Sequence, residues 1–159
     1  MKKGLSGWIK MQNRLFNSVF EMELRVLLLL STGRKKNYTI ERIVALDFII
    51  CYAECFQFPY ENLHGDNNYM YGELSNRRFL ATEAVKKLVT KGLAEVTVFK
   101  GYQFSVSDAG KKYAKALEST YAVEYQKIAM DVIKAFNKLS DEELDVSIRE
   151  NAIRELGRK

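Results

Sequence analysis

The stretch "TKGLAEVTVFKGYQFSVS", Thr90 to Ser107, decides the fold. It opens on a helix ending: Gly92 supplies a left-handed C-cap and Leu93 folds back on the helix it leaves. "LAEVTVF" and "YQFSVS" then alternate apolar and polar residues with the period of two expected of half-buried strands. Between them Lys100-Gly101 reads as a two-residue hairpin turn, because glycine accepts the positive φ such turns require. Ser107 is placed to cap a further helix, "DAGKKYAKALES". A hairpin directly behind a glycine-capped helix, with another helix after it, is the wing of a winged helix-turn-helix.

Upstream, Ser75 or Asn76 is placed to cap a helix whose inner stripe is Leu80, Ala81, Ala84, Val85 and Leu88. Before it, "NYTIERIVALDFIICYAECF" offers Thr39 as N-cap, Glu41 near the positive end of the dipole, and Ile40, Ile43, Val44, Phe48 and Cys51 at helical spacing. The first helix begins at Ser18, where "SVFE" has capping-box spacing, runs to about Ser31, and is ended by Gly33. Its apolar residues Phe20, Leu24, Leu27, Leu28 and Leu30 cover more than one face, so it belongs at the centre.

Two stretches fall outside this pattern. Residues 56–75, "FQFPYENLHGDNNYMYGELS", read as a long loop whose aromatics Phe56, Phe58, Tyr60, Tyr69 and Tyr71 must pack on the body or on a partner. Past the wing, Tyr121, Tyr125, Ile128, Val132, Phe136 and Leu139 recur at steps of three and four. That seam serves either another helix of a partner or the chain's own core. A last helix starts at Ser140, whose "SDEE" is a capping box, with Leu144, Ile148, Ala152 and Leu156 beneath it. The expected class is mainly α with a β-hairpin (α+β): an arm over 1–15, a winged helix-turn-helix over 16–119, and a C-terminal helical extension over 120–159.

Charge and composition narrow the function. Apolar residues at 47 % and charged residues at 28 % are ordinary for a globular chain. The net charge of +5 conceals bands: residues 1–36 carry eight basic and two acidic groups, 37–75 one and six, 76–115 nine and three, and 116–159 seven and nine. Basic bands attract phosphate backbone, acidic ones suit a basic protein partner, and either serves equally as a solvated face. "LRVLLLL" is too short to cross a bilayer and no apolar run of signal length precedes Phe16, so a cytoplasmic protein without membrane contact is expected.

The chemistry-bearing residues are few. Cys51 and Cys55 stand four apart in an apolar run and read as structural thiols, since His64 is the one histidine and no further metal ligand is convincing. Neither phosphate-cradling glycine pattern is present, and no serine, histidine and aspartate spacing matches a nucleophile elbow. The expectation is a protein that is not an enzyme, with no catalytic, metal or cofactor-binding residues and no cofactor. Asp47, however, lies on the apolar face of the second helix and Arg25 among leucines of the first. Each ion needs a partner there, and a structural Arg25–Asp47 pair is expected.

DNA contact has candidates in Arg77, Arg78, Thr82, Lys86, Lys87 and Thr90 on the third helix, Lys100 at the wing tip, and Lys111 and Lys112 beyond it. Lysines and threonines suit backbone contact better than base reading, so this contact is expected to be non-specific.

The runs "LFNSVFEMELRVLLLL", "YTIERIVALDFIICYAE" and "LHGDNNYMYGELSNRRFLATEAVKKLVTKGLAEV" with its hairpin resemble the middle component of bacterial ABC three-component systems, the small winged-helix subunit of Lamassu-like defence operons. The likeness covers about residues 15–137. Its most specific elements are Phe16-Asn17-Ser18, Leu24-Arg25, Asp47, Tyr71-Gly72-Glu73-Leu74 and Arg77-Arg78. The resemblance implies a non-catalytic assembly subunit that joins an SMC-like ATPase and an effector, often a nuclease, in antiviral or anti-plasmid defence. Glu73, Arg77 and Arg78 would then fix the helix or dock a partner, together with Tyr69 and Tyr71 of the aromatic loop and Tyr125 and Val132 of the seam. The alternative is a dimeric winged-helix transcription regulator using the Tyr121–Leu139 seam as its interface.

Overall fold

The computed structural model describes residues 18–33, 37–65 and 69–157. The expected arm over 1–15, Phe16-Asn17 and Asp66-Asn67-Asn68 lie outside the described residues. Within them the chain is mainly helical with one two-stranded antiparallel sheet, an α+β arrangement. The order is α1 (Val19–Gly33), α2 (Ile40–Cys51), α3 (Leu74–Thr90), β1 (Ala94–Val98), β2 (Tyr102–Val106), α4 (Asp108–Lys115), α5 (Thr120–Phe136) and α6 (Asp141–Gly157). Short 3-10 turns occupy Ala53–Phe56 and Met70–Glu73.

Most helix ends follow from local hydrogen-bonding chemistry. The Ser18 hydroxyl accepts from the Glu21 amide at 3.1 Å, Thr39 from Arg42 at 3.1 Å, Ser107 from Gly110 at 3.0 Å and Ser119 from Ala122 at 3.2 Å, each satisfying an amide that helix geometry leaves unpaired. Ser140 and Glu143 exchange both bonds of a capping box, at 3.1 and 3.3 Å. The start of α3 differs from expectation. Neither Ser75 nor Asn76 caps it; the helix begins at Leu74 and its first turn continues the 3-10 turn Met70–Glu73, whose backbone already supplies the preceding geometry.

At the other end of α3, Gly92 has φ +76°, its amide donates to Val89 O and the Leu93 amide to Leu88 O, at 3.0 and 2.9 Å. This is the paired-bond ending that glycine allows. In the hairpin Val98 pairs with Tyr102, so Phe99, Lys100 and Gly101 form a three-residue loop rather than the two-residue turn expected. Phe99 leaves the strand because Lys100 and Gly101 both take positive φ, at 53° and 100°. Tyr38 bridges the outer side of β2 at Phe104.

A single hydrophobic core runs through residues on both sides of position 120. Helix α1 is central: α3, α4, α5 and β2 all pack on it, as the spread of its leucines required. Met22, Val26 and Leu27 to Leu30 are its buried apolar residues, Glu23 and Arg25 are buried with them, and Phe20 faces outward. Helix α5 lies against α1 and α2 and buries Ala122, Tyr125, Ile128, Ala129 and Val132. The seam therefore serves the chain's own core. Helix α6 packs on α2 through Leu144 and Ile148, but Leu156, expected beneath it, is exposed. Among the described residues no helix is long and apolar enough to cross a membrane.

Candidate interaction surface

The third helix is held from behind by a buried knot of charge. Asp47 on α2 lies at its centre, with the carboxylate fully shielded from water. Oδ1 accepts from Arg25 Nε of α1 at 3.0 Å and from the Tyr125 hydroxyl of α5 at 2.8 Å. Oδ2 accepts from Arg25 Nη2 at 3.4 Å and from Arg77 Nη1 of α3 at 2.7 Å. The Cys51 thiol stands 3.8 Å from Oδ1. One carboxylate thus links four helices, including the Arg25–Asp47 pair required by the placement of those two ions among apolar residues.

Charge balance explains why the knot is tolerable. Two guanidiniums face Asp47, and Glu73, at the edge of the cluster, lies 3.7 Å from Arg77 Nη2 and accepts from the Tyr52 hydroxyl at 3.1 Å. The Arg77 guanidinium also lies over the rings of Phe48 and Tyr52, 5.7 and 5.5 Å from their centroids. Burial alone would push the Asp47 carboxyl up, but Arg25, Arg77 and the Tyr125 hydroxyl more than reverse it, holding it at about 2. Burial, with Asp47 beside it, raises the Cys51 thiol to about 11, so this sulfur is a poor nucleophile.

His64 closes the knot from the loop between α2 and α3. Its Nδ1 is 3.3 Å from Arg77 Nη2 and its Nε2 is 2.9 Å from the Tyr121 hydroxyl, while its ring stacks on that of Tyr121. Its glycine- and asparagine-rich loop would by itself leave it in water, but burial, then the charges of Arg25 and Arg77, push its pKa down to about 2. The imidazole is neutral because burial disfavours its charged form and an imidazolium would also face two guanidiniums.

Several expected partner residues consequently point inward. Arg77 was expected on the outer face of the helix but is buried, since Asp47 is its counter-ion. Tyr125 and Val132 are fully covered by the core, and Tyr71 is half-buried, packing on Phe48 and accepting from Asn151 Nδ2 at 2.8 Å. The rest of the loop is fastened too: Phe56, Phe58, Tyr60 and Leu63 pack on the core, and the Tyr60 hydroxyl donates to Asp131. Tyr69 and Arg78 remain exposed, Arg78 in an ion pair with Glu41. Lys86, Lys87, Lys100, Lys111 and Lys112 are all exposed.

What faces outward on α3 is mixed. Asn76, Arg78, Phe79, Lys86, Lys87 and Thr90 are exposed, and Glu83 lies half-exposed beside Lys86 at 3.4 Å. Phe79, 61 % exposed, is not among the residues expected from the sequence to meet a partner. Its signal was available: it stands outside the Leu80, Ala81, Ala84, Val85, Leu88 stripe, so an apolar ring had to point into water. A second device has no local signature in the sequence. Arg42 of α2 donates to the carbonyls of Phe136 and Leu139 at 3.1 and 2.8 Å and to Asp141 at 3.2 Å, clamping the corner between α5 and α6.

The family model for the ABC-three component (ABC-3C) system Middle Component 2 matches residues 15–158. The chain belongs to this family. The match extends the resemblance past residue 137 to take in α6, which agrees with a core that does not stop at the hairpin. No curated protein and no solved structure matches the chain. Membership in a multi-component system implies protein partners for this middle component.

Proposed function

We propose that this middle component is a non-catalytic assembly subunit, working in the cytoplasm, that joins an SMC-like ATPase to an effector such as a nuclease in defence against phage or plasmids. The family match over residues 15–158 carries the reading. The order of three helices, a hairpin and a further helix, with Tyr38 bridging β2, supports a winged helix-turn-helix as its core. Against that template α3 is the element that would enter a major groove. Its outer face presents Phe79 and Glu83 among the cations, an apolar ring and a carboxylate that suit a protein surface better than base edges and phosphates.

Non-specific DNA contact through Lys86, Lys87, Lys100, Lys111 and Lys112 is compatible with this role, because exposed lysines serve backbone contact without reading sequence. The dimeric regulator is less well supported: its seam is already covered by α1 and α2. Co-expression of the full chain with the ATPase and effector of its own system tests the proposal. A stable complex at low salt is the expected result. Repeated failure to copurify, or a salt-resistant homodimer selecting a palindromic DNA site, overturns it.

A further inference from the structure

The hairpin carries an apolar face that extends beyond the core beneath it. Its register sets Ala94, Val96 and Val98 opposite Val106, Phe104 and Tyr102, which places all six side chains on one face and leaves Glu95, Thr97, Gln103 and Ser105 on the other. At the base this face is core: Ala94 and Phe104 are 3 % and 8 % exposed. Toward the tip it runs into water, with Val96 at 41 %, Val98 at 76 % and Tyr102 at 68 %. Phe99 in the loop is 67 % exposed, with Lys100 Nζ 5.8 Å from its ring centroid. A contiguous outward apolar face of this kind marks an interaction site.

Charge selects the occupant. Residues 83–106 carry Lys86, Lys87, Lys91 and Lys100 against Glu83 and Glu95; Lys86 pairs with Glu83, Lys91 with Glu23, and Glu95 lies on the polar face of the hairpin, which leaves Lys87 and Lys100 as the cations offered to a partner. A second copy of the chain, packed wing against wing, would set these cations against their own equivalents, which like-charge repulsion disfavours. Nucleic acid would satisfy the lysines but leave the valines without apolar contact. We propose that the outer half of the hairpin docks an acidic, apolar-faced segment of another component of the system, with apolar side chains on Val96, Val98 and Tyr102 and carboxylates toward Lys100 and Lys87. This rests on the assembly reading above and names the surface it uses.

The experiment uses the full chain co-expressed with the other components of its system. Three forms are compared: wild type, the combined Val98→Ser, Phe99→Ser and Tyr102→Ser variant, and Lys100→Glu. Because the three replaced side chains are exposed, the combined variant keeps its thermal midpoint. It is expected to lose affinity for its partner by about tenfold or more, as loss of central apolar anchors does. Lys100→Glu weakens binding less, and the wild-type complex survives salt that strips DNA from the chain.

Equal recovery of the partner with wild type and a folded combined variant overturns the inference and leaves the assembly reading intact. If the variant loses only DNA binding, or only self-association, the occupant is wrong. Recovery of no component even with wild type removes the assembly reading along with the inference.

Discussion

Around Asp47 two arginines, a tyrosine and a cysteine are buried together, whereas along the outer hairpin two valines, a phenylalanine and a tyrosine face water. In each region the residues lie opposite to where their polarity alone would put them. The buried charges are tolerable because every ion there has a counter-ion within the same molecule, and the geometry joins helices distant in sequence. The outer hairpin has no such internal answer among the described residues. The buried polar residues therefore serve the fold, and the proposed docking gives the exposed apolar residues of the hairpin a partner. Substitutions in the two regions should separate stability from association.

The largest effect is expected at the knot. Asp47→Ala leaves two guanidiniums facing each other in the core and should cost about 3–5 kcal/mol, read by urea denaturation. Arg77→Ala leaves Asp47 with Arg25 and the Tyr125 hydroxyl, so its cost should be smaller but still above about 2 kcal/mol, because Phe48 and Tyr52 also lose the guanidinium above them. A wild-type denaturation curve from Arg77→Ala would show that the buried cluster is not what positions α3.

The knot also predicts an acid sensitivity. The His64 pKa is about 2 in the folded chain, against 6.5 for an unperturbed imidazole. The unfolded chain therefore binds a proton that the folded chain refuses. The stability from this group is present above about pH 6.5 and is lost as pH falls toward 2. Between pH 6 and 4 the stability of wild type should drop relative to His64→Gln, by at most about 1.4 kcal/mol per pH unit. Parallel pH profiles for the two proteins would place His64 outside the cluster in solution.

Smaller still, Arg78→Ala removes an exposed pair with Glu41 and should change stability by less than about 1 kcal/mol. Smallest of all, the combined hairpin variant should leave the unfolding free energy within about 0.5 kcal/mol of wild type in total, since surface positions away from special features rarely do more. A large loss there would make the outer hairpin a structural element and remove the contrast.

Much of this was legible in the sequence, for local reasons. The caps at Ser18, Thr39, Ser107 and Ser140, the glycine ending at Gly92 and the hairpin all depend on residues within a few positions of one another. The Arg25–Asp47 pair could be read too, because each ion falls on an apolar helical face where solitude would be prohibitive. Arg77 could not. The pair Arg77-Arg78 looks like one basic unit, yet helical rotation of about 100° per residue turns one arginine inward and the other to solvent. Only knowing where α2 crosses α3 tells which. The same long-range packing decides His64, whose glycine- and asparagine-rich surroundings suggest exposure, and Tyr125, whose seam suits a foreign helix as well as its own core. The overhang of the hairpin is equally invisible to alternation, which gives the face of a strand but not how far the core beneath it extends.

Amide hydrogen exchange, measured on the chain alone and again in complex with the other components of its system, sets the two regions against each other directly. The account predicts that amides of Val96 to Tyr102 exchange fast in the isolated chain and are strongly protected in the complex, while those of α2 around Asp47 are slow in both. Equal exchange of the hairpin in the two states, with protection gained elsewhere, would contradict it.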